Sequence, residues 1–303
     1  MKTIKIGELN ASEISLGLMR ISGMARADIA TLVHTALEAG INFFDHADIY
    51  GGGQSEAKFA EALQMTPRVR EQMYLQTKCG IRNNYYDFSK EHILEAVDGS
   101  LKRLRTDYVD VLLLHRPDAL VEPQEVAEAF DILQSSGKVK NFGVSNQNPM
   151  QIELLRKYVK QPLLVNQLQL AITNSGMIDQ GINVNTGFAG AIDRDGGILD
   201  YCRLHDIVIQ PWSPFQYGFF EGVFLDNPKF PELNQKINEI AEAKGVTNTA
   251  IAVAWLLRHP AHMQPIVGTT SAARVKDVSK ASDVTLSREE WYEIYRAAGN
   301  KLP

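Results

Sequence analysis

The sequence predicts a (β/α)8 TIM barrel, a closed ring of eight parallel strands surrounded by helices. Short apolar segments of strand length alternate with segments of helical spacing along all 303 residues. Strict alternation of this kind is typical of a parallel sheet, and eight units in a chain of this length favour closure into a barrel. An open doubly wound sheet is the alternative. No G-x-G-x-x-G motif follows the first strand or occurs elsewhere, which argues against it.

The N-terminal segment is expected to form a small β-hairpin. Lys2–Ile6 and Ser12–Leu16 are short alternating runs on either side of the turn-like Glu8-Leu9-Asn10. The second arm is expected to run on into the first barrel strand, Ile14–Leu18. Because an α/β barrel of this length is often one domain, we expect residues 1–303 to be a single domain.

The remaining strands are apolar runs that end at polar residues. They are predicted at 42–48, Met73–Thr77, Tyr108–Leu114, Val139–Val144, Leu163–Val165, Ile207–Pro211 and Gln264–Val267. The helices between them are predicted at 27–39, Ser55–Leu63, Ser89–Leu104, Gln124–Ser135, from Asn148-Pro149 onwards, Ile198–His205, Leu233–Lys244, Ala250–Arg258, Ala272–Ser282 and from Ser287 onwards.

Stop and start signals support several of these boundaries. Gly40 and Gly137 stand where helices should end, because glycine readily adopts the left-handed backbone of a C-terminal cap. Asn148-Pro149 has the order of a capping residue followed by a first-turn proline. Ser287 and Glu290 have the spacing of a capping box.

Two stretches interrupt the alternation of strands and helices. Ile172–Gly197 is rich in glycine and asparagine, and Phe215–Pro231 carries Gly218, Gly222 and several phenylalanines. Loops of this length in a compact domain often cover a functional site. Because both follow predicted strands, we expect them to form walls or lids at the C-terminal face of the barrel.

The composition is that of an ordinary globular protein, with 45% hydrophobic and 22% charged residues. A net charge of −5 argues against a nucleic-acid or anionic-membrane partner, and nothing indicates a partner protein. Cys79 and Cys202 make no disulfide framework, which fits a reducing cytoplasm. No signal-peptide core is present, and no run approaches the roughly 20 apolar residues of a membrane span. We therefore expect a cytoplasmic location.

Seven of the eight predicted strands end at polar or ionisable side chains. They are Asp45 with Tyr50, Lys78, His115, Ser145 with Asn146, Gln167, Ser213, and Thr269 with Thr270. The carboxyl ends of parallel strands lie at one rim of a barrel, where ligands bind. These side chains are therefore expected to share one site.

Tyrosine, lysine, aspartate and histidine together make a proton-donating set. A free tyrosine has a pKa near 10 and is a poor acid at neutral pH, but a neighbouring ammonium lowers that pKa. A carboxylate can hold the ammonium in place, and a histidine can orient the group that receives the proton. The set suits protonation of an oxygen while another reagent attacks carbon.

The strand-end motifs, taken in order, resemble those of the aldo-keto reductases. They are DHADIYG, QTKCG, LLLHRPD, FGVSN, NQLQ, PWSP and IVGTT. The resemblance covers essentially the whole chain and is closest to a bacterial group of oxidoreductases with uncharted substrates. It implies a (β/α)8 barrel that binds NADPH without a Rossmann fold. It also implies hydride transfer to a small-molecule aldehyde or ketone.

Carried over position by position, the resemblance implies four catalytic residues. Tyr50 matches the proton donor, Lys78 and Asp45 match the charged pair, and His115 matches the residue that orients the substrate.

The resemblance also implies a set of cofactor-binding residues, of which Ser145, Asn146 and Gln167 hold the nicotinamide carboxamide and Trp212 stacks on its ring. The full set is Gly17, Leu18, Met19, Asp45, Ser145, Asn146, Gln167, Trp212, Ser213, Pro214, Phe215, Gly268, Thr269, Thr270 and Arg274. Ser213–Phe215 begin the pyrophosphate loop, and Arg274 packs on adenine or reaches the 2′-phosphate.

Several positions depart from the common pattern of the family. Trp212 replaces a tyrosine, and Gly268 and Val278 stand where many members have a basic residue and an asparagine that bind the adenosine end. We therefore predict NADPH as the cofactor with a moderate preference, and NADH as its alternative. His46 replaces a common threonine, two residues before Asp48.

Two other classes of function remain open from the sequence. Histidines and aspartates at a barrel mouth also occur in metal-dependent hydrolases, and His46, Asp48 and His115 are the residues that raise this reading. It leaves Tyr50 and Lys78 unexplained, and no metal is therefore predicted. The other class is a non-catalytic nicotinamide-binding subunit, against which the intact tyrosine–lysine–aspartate–histidine set argues.

Overall fold

The computed structural model describes residues 1–303 and contains a closed ring of parallel strands. Strands β1 (Thr3–Ile6) and β2 (Leu9–Ser12) form an antiparallel hairpin that precedes the ring. A second small hairpin, of β10 (Gln216–Tyr217) and β11 (Gly222–Val223), lies outside the ring. The eight ring strands are β3 (Ser15–Gly17), β4 (Phe43–Asp45), β5 (Tyr74–Cys79), β6 (Val109–Leu114), β7 (Val139–Ser145), β8 (Leu163–Gln169), β9 (Val208–Trp212) and β12 (Ile266–Val267).

The ring closes between β9 and the segment that leads into β12. Strand β12 pairs with β3, and the ladder then runs in chain order to β9. At the closing seam the Ile209 N–H donates to the His262 carbonyl oxygen at 3.0 Å, and the Gln264 N–H donates to the Ile209 carbonyl oxygen at 2.9 Å. The predicted barrel is confirmed, and the open-sheet alternative is wrong.

Helices surround the ring, and most lie within a few residues of their predicted bounds. They are α1 (Arg26–Glu38), α2 (Gln54–Ala62), α3 (Pro67–Arg70), α4 (Lys90–Leu104), α5 (Pro123–Ser135), α6 (Pro149–Arg156), α7 (Gly176–Ile182), α8 (Ile198–Leu204), α9 (Pro231–Lys244), α10 (Asn248–Leu257), α11 (Ala272–Ser279) and α12 (Arg288–Ala297). Capping boxes open α6 at Asn148 and α12 at Ser287. No helix has both the length and the apolar composition that crossing a bilayer requires.

The apolar core has two parts, one on each side of the ring. The larger part lies between the ring and the helices, and the smaller part includes hairpin residues such as Ile4 and Ile6 together with Phe43, Val111 and Val165. On β6, Val111 and Leu113 belong to the smaller part while their neighbours belong to the larger one, as alternation along a strand requires. The N-terminal hairpin therefore packs against the inner face of the ring.

The structure corrects the position of the second hairpin arm. It is Leu9–Ser12, because Gly7 adopts a positive φ of 56° and lets the chain turn between the paired residues Ile6 and Leu9. The predicted arm Ser12–Leu16 therefore contains the end of the hairpin and the start of the barrel strand β3, which was predicted at 14–18.

The two long segments that were predicted to cover the site differ in whether they line the cavity. The segment after β9 carries the β10–β11 hairpin and supplies cavity-lining residues such as Gln216 and Phe220, as expected. The prediction that 172–197 forms a wall or lid is wrong, because none of its residues lines that cavity. It forms α7 and packs against the C-terminal region instead, where Tyr295 Oη donates to Asp179 Oδ1 at 2.8 Å and Asn300 Nδ2 donates to Ser175 Oγ at 3.2 Å.

Candidate active site

A cavity of about 790 Å³ opens at the carboxyl ends of the ring strands. Ligand pockets of this kind usually span roughly 300–1,000 Å³. Tyr50, His115 and Gln167 line one part of it, and Gly268 and Arg274 line another. The cavity therefore connects the predicted proton-donating set with the predicted adenosine end.

Lys78 is the centre of the proton-donating set. Its side chain is fully buried, and Nζ donates to the Asp45 carboxylate at 2.8 Å, to the His46 carbonyl oxygen at 2.7 Å and to Tyr50 Oη at 3.0 Å. An ammonium has three N–H donors, so all of them are used. Because Asp45 is also buried, the two opposite charges compensate each other in a place where either one alone would be costly.

The local electrostatics keep Tyr50 as the phenol and Lys78 as the ammonium. Burial raises the pKa of Tyr50 above its ordinary value, Lys78 opposes this rise, and Asp45 adds to it. Lys78 does act to lower the pKa of Tyr50, as expected, but the effect of burial is larger. Burial acts to lower the pKa of Lys78, whereas Asp45 and Tyr50 more than offset that effect and raise it. Tyr50 thus holds its proton at neutral pH.

His115 lies beside Tyr50 as a neutral imidazole. The two rings meet edge to face, with centroids 6.0 Å apart and planes at 80°. Burial lowers the pKa of His115 well below its ordinary value, and the charges of Lys78 and Arg116 lower it further. Its Nδ1 is buried without a partner. A neutral imidazole offers one donor and one acceptor, so His115 can orient a neighbouring polar group.

A layer of buried glutamines supports Asp45 from below. Gln76 and Gln167 donate to Asp45 Oδ1 at 2.6 and 3.0 Å, and both also donate to Gln210 Oε1, at 2.8 and 3.0 Å. Gln210 in turn donates to Gln264 Oε1 at 2.8 Å. We call Gln76, Gln167, Gln210 and Gln264 the glutamine layer. Sequence reasoning missed three of them, although a polar residue within an apolar strand was the available signal.

Ser145, Asn146 and Trp212 form a connected rim on the neighbouring strands. Ser145 Oγ donates to the Gln167 carbonyl oxygen at 2.8 Å, and Asn146 Nδ2 donates to Ser145 Oγ at 2.8 Å. Trp212 Nε1 donates to Asn146 Oδ1 at 3.1 Å. These bonds orient an amide and an indole toward the same cavity.

The indole of Trp212 is packed by the tip of the β10–β11 hairpin. Phe220 stacks on it at 5.8 Å with planes 20° apart, and Phe219 meets it edge to face at 6.3 Å. The Arg116 guanidinium lies 5.5 Å from the centre of the same ring. Sequence reasoning missed Phe220 and Arg116, both of which line the cavity.

A comparison with known protein families identifies the family to which the chain belongs. The model of the aldo/keto reductase family matches residues 13–298. The chain belongs to the aldo/keto reductase family. As a member, it is an NADP(H)-dependent oxidoreductase, and the predicted resemblance is confirmed.

Several proteins are similar to this reductase over nearly its whole length. An uncharacterized oxidoreductase, YcsN of Bacillus subtilis, is 36% identical over 100% of both chains. A 6-dehydroglucose reductase of Novosphingobium aromaticivorans is 36% identical over 96% of this chain and 93% of its own. A crystal structure of an aldo-keto reductase from Klebsiella pneumoniae with NADPH has a TM-score of 0.79 at 24% identity, covering 99% of this chain and 96% of that one, and supports the fold.

The reductase has a cavity that fits its cofactor. Gly17 at the end of β3 and Met19 after it line the cavity. Ser213, Pro214 and Phe215 line it after β9, and Thr269 lines it beside Gly268 and Arg274. A side chain at Gly17 would come within 2.8 Å of Ile266, so glycine permits close packing there. Leu18 is fully buried and Thr270 is exposed, and neither lines the cavity. The remaining residues offer amide, hydroxyl and guanidinium groups, which suit a nicotinamide dinucleotide.

His46 and Asp48 do not form a metal site in this reductase. The His46 ring is buried edge-on against Phe59 at 4.6 Å, and neither ring nitrogen has a hydrogen-bond partner. Burial, with a smaller effect of Lys78, lowers the pKa of His46 to about 3. No three His, Cys, Asp or Glu side chains are grouped closely enough to hold a metal ion, so the hydrolase alternative has no ligand set.

Proposed function

We propose that this reductase converts an aldehyde or ketone to an alcohol, with Tyr50 donating a proton to the carbonyl oxygen. The observation that carries this proposal is the 3.0 Å contact between Lys78 Nζ and Tyr50 Oη. An ammonium beside a phenol stabilises the phenolate that remains after proton transfer, and it is fixed there before the reaction begins.

Each member of the set has a separate task. Tyr50 moves its proton from Oη to the substrate oxygen, and Lys78 stabilises the charge left behind. Asp45 keeps Lys78 in place and charged. His115, which lines the cavity as a neutral imidazole, orients the carbonyl oxygen toward Tyr50.

A bound reduced nicotinamide supplies the electrons that reduce the carbonyl carbon. We propose that Ser145, Asn146 and Gln167 hold its carboxamide and that Trp212 packs against its ring. Gln167 Nε2 is committed to Asp45 and Gln210, so Oε1 is the atom it offers to a ligand. Arg274 makes no ion pair and is proposed to bind the 2′-phosphate, which distinguishes NADPH from NADH.

For the substrate class we propose a carbonyl compound derived from a carbohydrate. The relative from Novosphingobium aromaticivorans is named a 6-dehydroglucose reductase, which supports an oxidised sugar as substrate. The polar lining of the cavity supports the same class, since Arg20, Gln216, Asp226 and Thr249 offer hydrogen bonds to hydroxyl groups.

The test uses the fluorescence of Trp212 and the oxidation of NADPH. Trp255 and Trp291 are buried and stack on each other at 4.7 Å, so Trp212 is the tryptophan that a ligand in the cavity can reach. NADPH should quench the fluorescence of the wild type more strongly than that of Trp212→Phe. Purified protein should then oxidise NADPH with reactive aldehydes, dicarbonyls or aldehyde forms of sugars. Quenching without turnover on such a panel would favour the non-catalytic subunit instead.

A further inference from the structure

Arg116 is a cation beside the proposed site of proton transfer that the proposed reaction does not use. It follows His115 directly at the end of β6 and lines the cavity. Its positive charge acts to lower the pKa of both Tyr50 and His115. Burial is the larger effect at both residues, and it raises the pKa of Tyr50 but lowers the pKa of His115. Arg116 therefore lies within electrostatic reach of the position where a carbonyl oxygen would bind.

The charge of Arg116 is not neutralised by the protein. None of the ion pairs of the protein involves Arg116, and its guanidinium lies 5.5 Å from the centre of the Trp212 ring. A guanidinium over an aromatic face is attracted to the ring while its N–H donors remain available to other groups. Arg116 thus offers donors that have no acceptor in the protein.

The two acidic residues that line the cavity already have partners. Asp45 is paired with Lys78, and Asp226 accepts a hydrogen bond from Asn248 at 3.0 Å. The chain as a whole carries a net charge of −5, so an unpaired cation in the cavity has the opposite sign to the overall charge. An anion that enters the cavity would therefore meet Arg116 with its positive charge uncompensated.

Arg116 stands apart from the residues proposed to bind the phosphates of the cofactor. In the ring order β12-β3-β4-β5-β6-β7-β8-β9, strand β6 lies four positions from β12, on the opposite side of the barrel. Arg274 follows β12, whereas Arg116 follows β6. Its donors are thus on the side of the cavity where His115 is proposed to orient the carbonyl oxygen.

We propose that Arg116 binds an anionic group of the substrate, so that the reductase prefers carbonyl compounds that carry a carboxylate, sulfonate or phosphate over neutral ones. This inference rests on the proposed function, because it concerns the substrate of the same site. It narrows the substrate class to oxidised sugars and related carbonyl compounds that bear such an acidic group.

The test compares substrates that differ in charge but hardly in shape. The first pair is 4-carboxybenzaldehyde and 4-formylbenzamide, and the second is succinic semialdehyde and its methyl ester. A hydrogen bond from a guanidinium to an anion corresponds to roughly 10- to 100-fold in binding. In the wild type, kcat/KM should be higher for the anionic member of at least one pair. Arg116→Met should reduce that ratio ~10- to 100-fold, mainly through KM.

Two further variants separate binding from packing. Arg116→Lys keeps the charge and should retain part of the preference, whereas a role in supporting Trp212 alone would affect both members of a pair equally. Arg68→Met removes an exposed arginine on α3 and should leave the ratio unchanged. The inference is overturned if the wild type reduces both members of each pair equally well. It is also overturned if Arg116→Met raises the NADPH dissociation constant and slows both members alike.

The same measurements distinguish failure of the inference from failure of the proposed function. Reduction of the neutral members without a preference for the anionic ones contradicts the role of Arg116 and leaves the reductase activity standing. Absence of turnover with any aldehyde, by wild type and Arg68→Met alike, contradicts the proposed function itself.

Discussion

Lys78 Nζ lies 3.0 Å from Tyr50 Oη and 2.8 Å from the Asp45 carboxylate, so one buried ammonium contacts both the proposed acid and its counter-charge. While Tyr50 is protonated, Lys78 is balanced mainly by Asp45. When the proton leaves, the phenolate forms a second, stronger contact with the same ammonium. The attraction thus increases along the reaction, which is the property that lowers a barrier.

Replacing Tyr50 by phenylalanine removes the hydroxyl and keeps the ring. General acid catalysis contributes ~10²–10⁴-fold, so kcat should fall by at least this factor. The NADPH dissociation constant, measured by fluorescence quenching, should stay nearly constant. Tyr85→Phe is the matched control, because Tyr85 is exposed and does not line the cavity. A Tyr50→Phe protein that keeps most of its activity would show that the proton comes from elsewhere.

Replacing Lys78 by methionine removes the charge that opposes the rise in the pKa of Tyr50. That pKa should rise further, so the loss of activity at alkaline pH should move to higher pH while the rate falls. A pH–rate profile of unchanged shape in a still-active variant would contradict the assignment. Because the change leaves Asp45 buried and unpaired, it should also cost about 3–5 kcal/mol of stability. Asp45→Asn/Lys78→Met should recover part of that stability but not the activity.

Replacing Arg274 by alanine tests the choice of cofactor. Arg274 is exposed, lines the cavity and is the only basic residue between Gly268 and Val275. If it binds the 2′-phosphate, the dissociation constant for NADPH should rise ~10- to 100-fold, while that for NADH changes little. Lys276→Ala is the control, because Lys276 is exposed and does not line the cavity. Equal weakening of both cofactors would indicate that Arg274 packs on adenine instead.

Replacing Asp48 by asparagine should change how stability depends on pH. Burial, reinforced by Glu56 and opposed by Arg103, raises the pKa of Asp48 from 3.8 to about 7, and its Oδ1 has no hydrogen-bond partner. Because the folded pKa is the higher one, the stabilising effect of the proton is fully present below the unfolded pKa. It is lost as the pH rises from about 4 to about 7. A shift of this size corresponds to at most about 4 kcal/mol.

The measurement for Asp48 is the difference in melting temperature between variant and wild type at several pH values. This difference should grow in favour of Asp48→Asn as the pH rises from 5 to 8. Asp107→Asn, which changes an exposed aspartate, should show no such trend. A difference that stays constant with pH would mean that Asp48 is ionised in the folded protein.

The sequence allowed the barrel and the shared position of the strand-end residues to be predicted, because both follow from local patterns. Apolar runs mark the strands, and parallel strands bring their carboxyl ends to one rim. Asp45, Tyr50, Lys78 and His115 could therefore be grouped although they are spread over three strands and their following loops. The hairpin arm was misplaced because the position of a turn depends on single-residue geometry at Gly7.

The glutamine layer could not be predicted, because its contacts join residues that are far apart in sequence. Gln76 and Gln210 are separated by 134 residues, and each looks like an isolated polar residue within its own strand. The sequence also could not show that the pKa of Tyr50 is raised overall. The effect of Lys78 follows from its charge, but the larger effect of burial depends on how completely the surrounding chain excludes water.

The glutamine layer also relates the active site to the order in which the chain is synthesised. Asp45 is joined through Gln76 and Gln210 to Gln264, which lies at the seam that closes the barrel. Gln264 is made after all the other residues of the set and after the strands that carry them. A nascent chain that has not yet reached Gln264 cannot complete the support beneath Asp45 and Lys78. The finished charge pair is thus a property of the full-length barrel, reached only when its last strand is in place.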